Sequence, residues 1–174
     1  MSGERPSTLT RYLFIAYALL VIYASLHPFS GWRDRGLPPL GFVTAPFPRP
    51  ILAFDVVANI IGYVPLGFLA VLAAYPGLRG RYAFAFSLVC SALLSFMLEA
   101  LQVYLPTRTS SNLDLLANAA GGALGALLAL AATLPLMDSG ALQHVRNRLF
   151  LPGGRIDLGL VLLGLWLFAQ LIQL

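Results

Sequence analysis

FDVVANIIGYVPLG at residues 54–67, SFMLEALQ at 95–102 and DLLANAAGGALG at 114–125 decide how this chain folds. Each belongs to a long apolar run and carries an acid and an amide near one end of it. Asp55 and Asn59 open the first run, Glu99 and Gln102 close the second, and Asp114 and Asn118 open the third. Apolar runs of this length predict membrane helices. Successive membrane helices alternate in direction, so the three polar ends fall on one side of the bilayer.

Working outward, the composition agrees. Of 174 residues, 59% are hydrophobic and 10% charged, against about 25% charged in soluble domains. This predicts an all-α, polytopic helical membrane protein with about five transmembrane helices, folded as a single domain over residues 1–174. The net charge is +4, and every basic residue is an arginine. The arginines are scattered over loops and form no basic face, which excludes nucleic acid as a partner. Cys90 stands alone, so no intrachain disulfide or cysteine metal cluster is possible.

The first span is expected from Arg11 to Leu26, ending at His27-Pro28. It reads as a retained helix rather than a signal peptide, because bulky Ile22 and Tyr23 precede the small residues. Residues 27–53 hold six prolines and read as a long outer loop without helix, with Trp32, Phe42 and Phe47 suited to the membrane interface. The second span is expected from Ala53 to Tyr75 with a kink at Pro65, and the third from Tyr82 to Leu105. The fourth runs from Leu113 to Leu134, capped by Ser110, Ser111 or Asn112 and stopped by Pro135. A short interfacial helix over 141–150 and a fifth span over 156–174 complete the reading. Counted across alternate loops, seven arginines against four place the N-terminus inside. The polar ends then face outward.

Asn59, Glu99 and Asn118 each lie roughly 8–9 Å below their helix ends at 1.5 Å per residue. At helical spacing Asp55, Asn59 and Gly62 share a face, as do Ser91, Ser95, Glu99 and Gln102, and as do Asp114, Asn118, Gly121 and Gly125. Polar side chains turn away from lipid, and Gly121 and Gly125 let a neighbouring helix approach closely. The second, third and fourth spans are therefore expected to pack together around an outward-opening polar pocket.

These residues carry a resemblance. Asp55-x3-Asn59-x5-Pro65-x-Gly67, Ser95-x3-Glu99-x2-Gln102, Arg108, and Asp114-x3-Asn118-x2-Gly121-x3-Gly125 resemble the VanZ-like family of bacterial membrane proteins, as does Leu26-His27-Pro28-Phe29. The resemblance covers roughly residues 20–130. It implies a bacterial cytoplasmic membrane protein from a family whose founding member is associated with teicoplanin resistance.

Three functional readings follow. In the first, the pocket binds an amphipathic ligand: a membrane lipid, a lipid-linked cell-wall precursor or a lipoglycopeptide. Asp55, Asn59, Gln102, Asp114 and Asn118 would orient it, and the guanidinium fork of Arg108 would meet an anionic group. In the second, Glu99 is the catalytic general acid/base of an enzyme acting on a lipid-linked substrate. In the third, the polar set is helix glue, with Glu99 neutral or paired to Arg108 while the amides cross-link the helices. No cofactor is called for, since no phosphate loop, zinc, nucleophile-elbow or dinucleotide motif is present. The three acids fit no metal-ligand spacing. His27 is a candidate proton carrier near the same surface.

Overall fold

A computed structural model describes residues 8–138, with side chains over 8–131. The expected interfacial helix at 141–150 and the fifth span at 156–174 lie outside the described residues. Five helices follow in order: α1 (Thr8–Leu26), α2 (Gly41–Thr44), α3 (Ala53–Ala74), α4 (Gly80–Gln102) and α5 (Asn112–Asp138). Among the described residues, four stretches are long and apolar enough to cross a membrane: Thr8–Leu26, Ala53–Ala74, Gly80–Gln102 and Asn112–Ala131. At 1.5 Å per residue they span about 28–35 Å, matching a hydrocarbon core of about 30 Å. Their outer faces leave large apolar side chains uncovered. Phe54 is 81% exposed, Ile61 63% and Val89 61%, a pattern suited to lipid rather than water.

The helices pack through small residues. α3 and α5 meet at Gly121 and Gly125, as the spacing predicts. A Cβ on Gly121 would overlap the Ile60 carbonyl, and one on Gly125 would lie 2.8 Å from the Phe68 nitrogen and 2.9 Å from the Val64 carbonyl carbon. Gly67 and Gly122 make a further backbone-to-backbone approach between the same helices. α4 closes the group with a fully buried stripe of Ser87, Ser91 and Ser95. Ser87 Oγ donates to the Gly67 carbonyl at 2.9 Å. α1 leans on this core through Val21 and Leu26, which cluster with Tyr63, Leu66, Leu98 and Leu105.

Several element limits differ from expectation. α1 begins at Thr8 rather than Arg11. α4 ends at Gln102, not Leu105, because i−3 hydrogen bonds tighten the chain there: Tyr104 N to Leu101 O and Leu105 N to Gln102 O. α5 runs through Pro135 to Asp138. A proline removes one helical donor without removing its own carbonyl, and membrane helices tolerate that loss. The long loop is not free of helix. Gly41–Thr44 forms one turn, with Gly41 N bonded to Pro38 O at 2.9 Å. Phe42 anchors this turn and is buried, its ring 5.7 Å from that of Phe96. Phe42 therefore faces the bundle instead of dipping freely into the interface, whereas Trp32 and Phe47 remain exposed.

Candidate functional site

The site is built from four helix ends. Asp55 and Asn59 stand in the first two turns of α3, Glu99 and Gln102 in the last turn of α4, and Asp114 and Asn118 in the first two turns of α5. Arg108 comes from the link between α4 and α5. Alternating chain direction brings all seven to the wall of one cavity of about 780 Å³. The C-terminal half of α1 supplies the remaining side, with Tyr17, Val21 and Ala24, and His27 follows it.

α5 starts where it does because Ser111 caps it. Its hydroxyl accepts from the backbone N–H of Leu113 at 3.1 Å and of Asp114 at 3.4 Å. The same turn holds Glu99. The Ser111 N–H donates to Glu99 Oε2 at 2.8 Å, and the Ser110 hydroxyl donates to the Glu99 carbonyl at 2.6 Å. Glu99 is 3% exposed. The α4–α5 link thus folds back over the last turn of α4 and fixes the carboxylate by one oxygen.

Arg108 is not the ion partner of Glu99. Its Nη2 donates to the carbonyls of Ala24 at 2.9 Å and His27 at 3.1 Å. Gln102 Nε2 donates to the neighbouring Ser25 carbonyl at 3.0 Å. The last carbonyls of a helix lack intrahelical donors, and Pro28 has no N–H to offer them. Arg108 and Gln102 supply these donors, so they dock the end of α1 onto α4.

A further amide bridges helices: Asn118 Nδ2 donates to Ser95 Oγ at 2.9 Å, and Asn59 lines the same wall as Asp114. Asp114 in turn lies within electrostatic reach of both Asp55 and Glu99. Three carboxylates therefore share a cavity with one guanidinium. Among the described residues, no three His, Cys, Asp or Glu side chains converge in an arrangement that could hold a metal ion.

Sequence reasoning missed the tyrosines. Tyr17 and Tyr63 both line the cavity. Tyr17 donates its hydroxyl to the Gly62 carbonyl at 2.9 Å, tying α1 to α3. Tyr63 is 4% exposed and its hydroxyl makes no hydrogen bond of ordinary geometry among the described residues. Tyr63 was findable, because it follows Asn59 by four positions on the same helical face. Tyr17 carried no such signal, since α1 has no polar partner at that spacing. Residues 28–52 of the long loop contribute nothing to the cavity wall.

The four membrane-length helices among the described residues, with a polar cavity at one end of the bundle, define a multi-pass helical membrane protein. Residues 8–134 match the family described as VanZ/LLP1, and the chain belongs to that family. No curated protein and no solved structure matches it.

Proposed function

We propose that this protein sits in the bacterial cytoplasmic membrane with its N-terminus inside, and binds the polar part of an amphipathic ligand in an outward-facing cavity. The ligand classes are a membrane lipid, a lipid-linked cell-wall precursor and a lipoglycopeptide. The observation that carries this reading is the cavity itself. Its volume of about 780 Å³ falls in the range of small-molecule sites, and its wall gathers seven acidic, amide and guanidinium residues within an otherwise apolar bundle. Intramembrane polar groups of this kind default to function. Family membership supports a link to glycopeptide resistance as the physiological setting of this proposal.

One observation favours a second reading. Glu99 is buried, held by a single oxygen and close to a second acid, Asp114, which suits a general acid/base acting on a lipid-linked substrate. Under it, Glu99→Gln abolishes turnover while ligand binding survives.

The test is teicoplanin susceptibility in a Gram-positive host expressing wild type or Glu99→Gln at matched membrane levels. Protection by wild type and its loss in the folded variant are expected. Unprotected cells carrying abundant wild type would remove resistance from the proposal.

A further inference from the structure

Around the cavity, the amide donors of Gln102 and Asn118 are engaged while carboxylate and amide acceptors are left over, and the Tyr63 hydroxyl stays unpartnered among the described residues. The Gln102 amide is held by the Ser25 carbonyl and Asn118 Nδ2 by Ser95. Arg108 Nη2 is held by the end of α1. Against these, Asn118 lines the cavity, is only 6% exposed, and its buried Oδ1 has no hydrogen-bond partner among the described residues. An orphaned buried acceptor of this kind is expected to meet a donor. Glu99 has a second oxygen with no hydrogen bond among the described residues, and the Asp55 carboxylate makes none there. The charge balance points the same way, with Asp55, Glu99 and Asp114 facing only Arg108. The rings of Tyr17 and Tyr63 add faces that attract cations.

We propose that the cavity receives the primary ammonium group of an amphipathic amine on the acidic wall formed by Asp55, Glu99 and Asp114, with Asn118 Oδ1 as a further acceptor. An ammonium offers three donors and no acceptor, the complement of what the wall leaves unsatisfied. Arg108 keeps Nε and Nη1 at the more exposed part of the wall, where an anionic group of a zwitterionic amine fits. The proposal rests on the ligand-binding reading and adds the charge and hydrogen-bonding character of the head that binds. Two sources present this chemistry: an aminophospholipid headgroup and an amine on another envelope amphiphile.

The test titrates the full chain in maltoside micelles with dodecylamine, dodecanol and dodecyl phosphate by calorimetry. Dodecylamine is expected to bind about tenfold tighter than dodecanol, from charge-assisted hydrogen bonds, and dodecyl phosphate no tighter than dodecanol. Asp55→Asn and Asp114→Asn each reduce the amine preference about tenfold and leave dodecanol binding unchanged. Asp55 is exposed at the start of α3, so its variant keeps the test clear of misfolding. Equal binding of the three probes, or preference for the phosphate, overturns the ammonium site and spares the ligand-binding reading. Failure of every probe to bind folded protein overturns both. Repeating the dodecylamine titration in nanodiscs of phosphatidylethanolamine or phosphatidylglycerol separates the sources. Competition in phosphatidylethanolamine alone upholds the site with a lipid headgroup as occupant, and equal affinity in both upholds it with a non-lipid amine.

Discussion

Replacing Gly125 by alanine forces α3 and α5 apart. The added methyl would stand 2.8 Å from the Phe68 nitrogen, where ordinary contact begins at 3.4 Å. The helices must therefore separate by at least 0.6 Å at this crossing, the difference between those two distances. They must move further to clear the Val64 carbonyl oxygen. Overpacking of this kind costs about 1–3 kcal/mol. Alanine regains up to about 1 kcal/mol of helix propensity, which only partly offsets the clash. Gly62→Ala is the control, because a Cβ there meets nothing within 4 Å and gains the same propensity without the clash. At about 2–4 °C per kcal/mol for a domain of this size, Gly125→Ala is expected to melt several degrees below Gly62→Ala. Cys90, the single cysteine, is partly buried on α4. A thiol-reactive dye therefore reports unfolding directly. Equal melting of the two variants would refute the claim that α3 and α5 touch backbone to backbone.

Other substitutions probe the links around the cavity. Glu99→Gln keeps an acceptor for the Ser111 N–H and is expected to melt within about 1 kcal/mol of wild type, whereas Glu99→Leu loses that bond and falls by about 1–3 kcal/mol. The same dye assay reads both. Arg108→Ala removes two hydrogen bonds to the end of α1, so amide hydrogen exchange is expected to accelerate after Ala24 while the α3–α5 core stays protected. Tyr17→Phe loses the bond to the Gly62 carbonyl and is expected to destabilise by about 1 kcal/mol, measured as a shift in thermal midpoint.

The four described membrane spans and the meeting of α3, α4 and α5 were legible in the sequence. Prolines and glycines mark the ends of apolar runs, and the i, i+4 spacing of Asp55/Asn59, Ser95/Glu99 and Asp114/Asn118 fixes which faces turn inward. Gly121 and Gly125 announced the close crossing for the same reason. Partners were not legible. Arg108 reads as an anion ligand because its side chain suits one, yet one of its nitrogens serves carbonyls that only the folded end of α1 presents. Tyr17 was invisible because α1 meets the rest of the bundle through apolar packing with no periodic polar mark. Phe42 and the turn at Gly41–Thr44 escaped notice because a single helical turn anchored by one aromatic ring leaves no periodicity to read.

The most direct test of the cavity as a ligand site is native mass spectrometry of the full chain, purified in mild detergent, as wild type and as Gly62→Leu. Gly62 lines the cavity and a Cβ there meets nothing within 4 Å, so a leucine side chain enters the site and narrows it. Wild type is expected to retain an amphiphile that the equally stable variant lacks. Equal retention by both, or none by either, would contradict a binding role for this cavity.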